Sequence, residues 1–566
     1  MTEPAIPSSA CAPCSIVHLH VDADRDGSVD DRAAPPRWTQ TSGAILLVNC
    51  DNDDGKSSPE PMDNLDCADQ TINGATDLAE IAPLDLRKSS EMPLDGVQVI
   101  LSLDTTATDY TQLVRIFSTR TAGGTEIIGP NSGPEKTFSE ADFNDGKIEL
   151  GMEAIRFPSR SQGSNSINFD GRVPIRLRVV AADGTELHTD RTEVHVAPWF
   201  VSNHADVTEV VYVAEISGVN ELTDNDRHFL SELRRIIGSK LEVVPVSINN
   251  GDRWAQDIME IGHSAMPGKK LVTAIRTPNL REQANDAFAA YPGKHLLSVD
   301  LGFMQTNDLV EAEVGSSLDS FGNLECSPPL PGYPFGRIVY GAPDTAGKHA
   351  SMREEMRALL EGNRLQSAIR LDTGWLSVGH VDEFLCFIPD PAGTHGFRVA
   401  FASPNRAMEI VRQVHSSDPN ARLFDGIRDN DSNVVMVFLD YANHSTVGQI
   451  MRDRSFMTTQ GRVQQILNTQ KEILRADLGL SDSDFIDMPI LFHQDEGGGV
   501  HCVHARFCEY AGGDACAEPA GSCYSETVWT DFGWGVPIRS GHLSGLRCKF
   551  GCNAAFRRLL PDLPHS

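Results

Sequence analysis

Trp375-Leu-Ser-Val-Gly-His-Val-Asp-Glu383, taken with Gly251-Asp-Arg-Trp-Ala-Gln-Asp257, is the pair of segments that decides how this chain is read. His380 and Asp382 stand two residues apart inside an apolar run from Trp375 to Ile388. If that run is a strand, both side chains leave the same face. Asp257 brings a second carboxylate from elsewhere in the fold. A guanidinium is a flat fork of donors, and carboxylates match it with paired, charge-assisted hydrogen bonds. Two carboxylates can clamp such a group while a histidine beside them moves protons. Two plainer readings compete: a hydrogen-bonded core pair, and a metal half-site, for which no partner His or Cys follows at ligand spacing.

The rest of the composition sets the frame. A chain of 566 residues holds two to four domains with ample core. Its 40% hydrophobic and 7% aromatic content suits a soluble globular protein, and no apolar run reaches the length of a membrane span. Met1 to Pro13 carries neither a basic n-region nor an apolar core, which argues against a secretory signal and makes the cytoplasm the expected compartment. The net charge of −31 argues against nucleic acid or anionic membrane as partners and favours cations: calcium or basic protein segments. Dimerisation is compatible with the sequence but not indicated by it.

Residues 15–198 alternate short β-type runs with Gly, Pro, Asn and Asp turns: Ser15–Val21, Ala44–Val48, Val97–Leu103, Thr111–Phe117, Val173–Ala181 and Glu193–Ala197. This spacing predicts an antiparallel β-sandwich, immunoglobulin-like in its layout. From Val207 strands alternate with amphipathic helices, among them Asp224–Ile237, Ala350–Gly362 and Thr459–Leu478, which predicts an α/β region over 199–495. The expected class is therefore α+β multidomain, preceded by a disordered stretch over 1–14.

Acidic residues cluster in the sandwich. Asp22-x-Asp24-x-Asp26-Gly27 opens like a calcium loop, but the twelfth position is Ala33 where an EF-hand needs a bidentate Glu, so a turn on a solvated edge competes evenly. Asn49, Asp51 and Asp53, followed by Asp66, Asp69, Asp77 and Glu80, fit better the six to eight hard oxygens that calcium takes.

The two opening segments resemble the protein-arginine deiminases, whose signatures are Trp-x-Gln-Asp and Gly-His-Val-Asp-Glu. Gly43-Ala-Ile-Leu-Leu-Val-Asn-Cys-Asp-Asn-Asp53, Val196-Ala-Pro-Trp199, Leu318-Asp-Ser-Phe-Gly-Asn-Leu-Glu325 and Asp484-Phe-Ile-Asp-Met-Pro-Ile490 carry the resemblance further, over residues 15 to 495. It implies a five-bladed α/β propeller of pentein type with the site at its centre. It also implies calcium-dependent hydrolysis of peptidyl-arginine to peptidyl-citrulline and ammonia, with arginine-containing proteins or peptides as substrates. By this resemblance Asp257 and Asp382 hold the guanidinium, His380 moves protons, Trp254 walls the arginine stem and Arg281 meets the substrate backbone. Asp300 joins the calcium ligands of the sandwich, and Gln256, Glu260, Glu325 and the carbonyls of Phe321 and Leu324 form a further calcium site. A neighbouring site of the animal enzymes has Ile258 and Arg276 where it needs acids, and is expected to be missing.

The family's nucleophile is a cysteine thiolate that attacks the guanidinium carbon. Its segment reads Gly-Glu-Val-His-Cys-Gly-Thr-Asn, and Gly497-Gly-Gly-Val-His-Cys502 is a tempting match. Cys502 is a weak candidate: it comes too early, and Val503-His-Ala follows it. Read one nucleotide later, the codons of 501–513 can spell Phe-Val-Asn-Met-Leu-Val, and those of Tyr524–Thr530 can spell Ile-Pro-Lys-Pro-Phe-Gly-Pro, both family segments in family order. The expectation is an out-of-frame tail over 496–566. That accounts for six cysteines (Cys502, Cys508, Cys516, Cys523, Cys548 and Cys552) crowding the end while six others are scattered between Cys11 and Cys386. The alternatives are an active enzyme using Cys502, an inactive protein that binds calcium and arginine peptides, and a free-guanidine deiminase or amidinotransferase.

Overall fold

The computed structural model describes residues 17–89, 94, 96–104, 108–160, 168–215, 223–279, 286–306, 316–343, 351–422, 445–494 and 499–502. Two compact units divide the chain. The first comprises Met1–Trp199 with Gly262–Ala274 and Gly293–Met304; the second comprises Phe200–Ile261, Ile275–Pro292 and Gln305–Ser566.

The first unit is built on ten strands: β1 (Val17–Val21), β2 (Ile45–Leu46), β3 (Ala82–Lys88), β4 (Val97–Leu103), β5 (Val114–Phe117), β6 (Glu126–Ile128), β7 (Glu135–Phe138), β8 (Lys147–Ala154), β9 (Arg172–Ala181) and β10 (Glu186–Val196). They form two five-stranded sheets, ordered β1-β3-β8-β5-β6 and β2-β10-β9-β4-β7. Alternation explains the layering. In β9, Val173, Ile175, Leu177 and Val179 are buried while Arg176 and Arg178 are partly exposed on the other face. Leu19, Leu84, Leu86, Val99, Leu101, Leu150 and Val194 complete a core with no accessible surface. The β2–β10 pair is parallel, and the remaining pairings described in these two sheets are antiparallel. One buried cation sits inside: Arg115 on β5 donates to Glu126 Oε2 at 2.7 Å, to Glu153 and to the Cys67 carbonyl at 2.9 Å.

The second unit repeats one module that no residue pattern announces. Strands β13 (Leu324–Cys326) and β14 (Ile338–Ala342) pair antiparallel, helix α3 (Glu354–Gly362) follows, and β15 (Ile369–Asp372) returns parallel to β14. The same order recurs with β16 (Leu385–Pro389), β17 (Phe397–Ala402), helices α4 (Pro404–Ser417) and α5 (Arg454–Leu478), and β18 (Phe485–Met488). Before them β11 (Val211–Ala214), α1 (Thr223–Ile237) and β12 (Leu241–Val244) form the parallel half of such a module. After them β19 (Phe492–Gln494) and β20 (Val500–Cys502) open another antiparallel pair. Helix α5 begins where the Asp453 side chain accepts from the Phe456 N–H and ends at Gly479, whose φ of +70° suits only a residue without Cβ strain. Its inner face, Val463, Leu467, Leu474 and Leu478, packs with Val399, Phe401 and Phe387 in one core. Among the described residues no helix is long and apolar enough to cross a membrane.

Candidate active site

Asp257, His380 and Asp382 come together in the second unit, around Gly322. His380 Nδ1 lies 3.9 Å from Asp257 Oδ1 and 4.0 Å from Asp382 Oδ1. A Cβ placed on Gly322 would fall 2.5 Å from His380 Nδ1, 2.7 Å from Asp382 Oδ2 and 3.3 Å from Asp257 Oδ1. The three side chains thus aim at one point, which the missing side chain of Gly322 keeps clear. His380 Nε2 is 2.8 Å from the Ser317 carbonyl. A carbonyl can only accept, so Nε2 carries a proton, and Nδ1 is the nitrogen that faces the two carboxylates.

The local chain explains why. Trp375–Glu383 is not the strand that its apolar run suggests; it is a succession of turns, and strand geometry starts only at Leu385. Gly379 adopts φ +91°, and the buried Glu383 carboxylate accepts from the N–H groups of Gly379 and His380 at 3.1 Å each. That clamp, and not a pleat, brings His380 and Asp382 to one side. Asp257 rides on the short helix α2 (Ala255–Ile258), entered through half-buried Trp254. Two fully buried asparagines that the sequence did not single out hold the remaining walls. Asn249 donates to the Val244 and Glu215 carbonyls and accepts from the Gly251 N–H at 2.7 Å, fixing the loop before Trp254. Asn323 donates to the Leu318 and Gly341 carbonyls and accepts from the Gly341 N–H, locking the turn that carries Gly322.

Gln256, Glu260 and Glu325 fall in the same unit. Gln256 Nε2 donates to Glu260 Oε2 at 2.7 Å. Burial raises Glu260 to about 7 and pushes Glu325 well above the carboxylate range, with the Glu260 charge adding to the latter. Phe321 and Leu324 bracket the Gly322 turn, and the Phe321 carbonyl accepts from the Leu324 N–H. Glu325 also has neighbours that sequence reasoning missed: His204 Nδ1 is 3.8 Å from its Oε2, and the same nitrogen is 3.8 Å from Cys386 Sγ. Arg281 lies outside the described residues, as do residues 1–14 and 503–566.

The cysteines divide sharply. Burial raises the thiols of Cys50, Cys326 and Cys386 well above their ordinary value and that of Cys67 to about 12, the opposite of an activated thiolate. Cys502 ends β20, where its backbone is paired with Phe492. Two residues earlier Val500 is bridged in parallel with Leu376, its carbonyl accepting from the Ser377 N–H at 2.9 Å. The end of β20 is therefore directed along the turn segment that bears His380.

In the first unit several of the acidic residues lie close together. Ligand-type atoms of Asp51, Asp53 and Asp66 lie within 4.8 Å of one another, and so do those of Asp51, Glu80 and Asp300. Asn49, Asp51, Asp66, Asp77 and Glu80 are all buried. Desolvation raises Asp51 to about 6, Asp66 to about 8 and Glu80 to about 9, the Asp51 charge adding to the last. Asn49 Oδ1 and Asp66 Oδ1 are buried without a hydrogen-bond partner, while the Asp53 carboxylate is met by the Thr76 side chain and that of Asp51 by Glu80. Asp69 and Asp77 differ, being engaged by the protein: Asp69 with Lys56 and Asn73, Asp77 with Asn49 Nδ2 at 2.8 Å and the Asn73 N–H. Lys269, also unforeseen, puts its ammonium 2.8 Å from Glu80 and against Asp300. The Asp22, Asp24 and Asp26 loop is a turn in which Asp22 accepts from the Asp26 and Gly27 N–H groups at 3.0 Å each.

Two buried carboxylates and a histidine set around one glycine are the residue types that can grip a guanidinium and move protons beside it. Sequence comparison agrees: the model for protein-arginine deiminase matches residues 186–509 and that for the middle domain of the same family matches 16–180. The chain belongs to the protein-arginine deiminase family. The type-1 enzyme of Mus musculus is 29% identical over 494 residues, covering 84% of this chain and 69% of that protein. The Homo sapiens type-3 enzyme is 29% identical over 497 residues (85% and 69%), and the Homo sapiens type-4 enzyme 28% over 503 (85% and 70%). These relatives are hydrolases of amidine C–N bonds.

Proposed function

We propose that the second unit is a pentein-type propeller whose central site grips peptidyl-arginine, and that the first is an immunoglobulin-like sandwich that binds calcium. The observation that carries the reading is the focus of His380, Asp257 and Asp382 over Gly322. Asp257 and Asp382 clamp the planar cation from two directions, fixing its carbon for attack. His380, holding its Nε2 proton against Ser317, has Nδ1 free to take a proton and return it to departing ammonia. Trp254 and Arg281 are assigned to the arginine stem and the substrate backbone.

For calcium, the buried oxygens of Asn49 and Asp66 that no protein donor meets, together with the converging carboxylates of Asp51, Asp53, Glu80 and Asp300, are the hard-donor set such an ion takes. Bound calcium would supply the positive charge that lets these carboxylates ionise in a buried place. Asp77 and Asp69 then act as orienting partners or as ligands after Lys56 and Asn73 swing away. Gln256, Glu260, Glu325 and the Phe321 and Leu324 carbonyls would hold another ion.

The nucleophile is the open part. The thiols of Cys50, Cys67, Cys326 and Cys386 are raised, not activated, and the sequence around Cys502 departs from the family pattern. We therefore assign this chain to binding arginine peptides without appreciable turnover. The second reading, catalysis by Cys502, is favoured by the bridge between Val500 and Leu376 that directs β20 along the His380 segment. Citrulline formation from an arginine peptide, with calcium and with EDTA, separates them. No citrulline from the purified chain supports the first reading. Calcium-dependent citrulline that disappears in Cys502→Ser supports the second.

A further inference from the structure

A second kind of metal site is present in the first unit, away from the acidic cluster. His18 on β1 and His188 and Asp190 on β10 offer one ligand atom each, all within 4.8 Å of one another. His18 Nδ1 is 3.4 Å from Asp190 Oδ2, and the two imidazoles meet edge-on with centroids 5.3 Å apart at 70°. A tetrahedral zinc held at about 2.0–2.1 Å puts neighbouring ligand atoms roughly 3.4 Å apart and two ligand imidazole centroids about 5 Å apart. Both spacings are met.

The groups are also oriented as metal ligands usually are. The Val17 backbone hydrogen-bonds the His188 ring, and His188 Nε2 is a buried atom with no hydrogen-bond partner. Asp190 Oδ2 accepts from the Leu19 N–H at 3.0 Å, and Oδ1 from its neighbour Arg191 N–H at 2.8 Å. Such outer partners fix a ring or carboxylate in place while another ring nitrogen, or the second lone pair of a carboxylate oxygen, stays available. The β10 register shifts between Glu186 and His188 and is regular after it, so strand alternation sets His188 and Asp190, two residues apart, on the same side.

The plainer account is that His188 and Asp190 only cap the free edge of β1, since Val17 and Leu19 turn their backbone groups that way. That explains the bonds to Val17 and Leu19. An ion pair with Asp190 at 3.4 Å accounts for His18 as well, but neither contact explains a buried His188 Nε2 without a donor or acceptor. We propose that His18, His188 and Asp190 bind one zinc-class divalent cation, with solvent in the remaining position, stapling β1 to β10. Imidazole with carboxylate suits zinc, copper or nickel and is a poor set for calcium, so this site is chemically distinct from the acidic one.

The test is zinc titration by calorimetry on the full chain saturated with calcium, comparing wild type with His18→Ala and His188→Ala. His18→Ala is the decisive variant because it leaves both bonds that cap β1 untouched, so its fold is not at stake. We expect one equivalent of zinc to be lost in His18→Ala, or its affinity to fall by more than the ~10–100-fold typical of outer partners. The same loss is expected in His188→Ala, and the zinc-induced rise in melting temperature should vanish with it. No zinc uptake by wild type, or unchanged stoichiometry and affinity in His18→Ala, overturns the proposal.

Discussion

Gly322→Ala tests the geometry of the arginine site with one methyl group. The new Cβ would stand 2.5 Å from His380 Nδ1 and 2.7 Å from Asp382 Oδ2, where ordinary contact starts at 3.4 Å. One or more of these groups must retreat by most of an ångström. None can do so cheaply. His380 is tied to Ser317 and its backbone to Glu383, and the Gly322 turn is locked by Asn323. A misplacement of about 1 Å costs on the order of 100-fold in a positioned site, equivalent to about 2.8 kcal/mol. Overpacking at a core position costs about 1–3 kcal/mol of stability, so the chain should still fold. The assay is the affinity of a fluorescent arginine peptide, measured beside thermal melting. We expect binding to weaken by about two orders of magnitude while the melt stays cooperative. If the alanine variant binds the peptide as wild type does, the point above Gly322 is not where the side chains act, and the reasoning fails.

Calcium should stabilise the chain in a pH-dependent way. The folded, metal-free carboxyls of Asp51, Asp66 and Glu80 titrate near 6, 8 and 9 against ordinary values of 3.8, 3.8 and 4.5. Raised carboxyls keep their protons after the unfolded chain has lost them. Their contribution to stability is therefore full below pH 4 and is lost as pH climbs through 6 to 9. Calcium replaces those protons, so its effect on melting should be slight at pH 5 and, at a hundredfold excess over its dissociation constant, reach about 2.7 kcal/mol per site at pH 8.5; equal shifts at both pH values would contradict this. Arg115→Ala strands Glu126 and Glu153 as buried carboxylates and should cost about 3–5 kcal/mol in chemical denaturation. Gly461→Ala, at an exposed position of α5 with nothing within 4 Å, should gain about 0.5–1 kcal/mol in the same assay.

Some of this architecture was legible from residues and some was not. Val97–Leu103 coincides with β4, because alternation is clean where one face is buried. β8 escaped notice because it is buried along most of its length and does not alternate, and β3 carries Pro83. α5 starts at Arg454, ahead of the expected Thr459, and the Asp453 cap was the signal for it. His380 and Asp382 lie 4.0 Å apart, but through a Glu383 clamp on a turn, which no two-residue period encodes, and not through a strand. The repeated module of the second unit is a repeat of geometry, with different residues filling each copy, so the residue pattern hides it. Asn249 and Asn323 were missed because a polar residue in a turn looks like any other until burial shows what it holds. Lys269 was missed because pairing a lysine with Glu80 and Asp300 requires knowing that the Gly262–Ala274 and Gly293–Met304 segments belong to the first unit.

The central claim is that Asp257 and Asp382 form a charge-matched clamp for a guanidinium. The direct measurement is calorimetric binding of an arginine peptide, and of its lysine and citrulline counterparts, to wild type, Asp257→Asn and Asp382→Asn in calcium. The account predicts that wild type binds the arginine peptide alone with appreciable affinity. Each asparagine variant should lose about 2–5 kcal/mol of that binding, the range for truncating one side of a buried charge pair. Equal affinity for the lysine or citrulline peptide, or undiminished arginine binding in either variant, would contradict it.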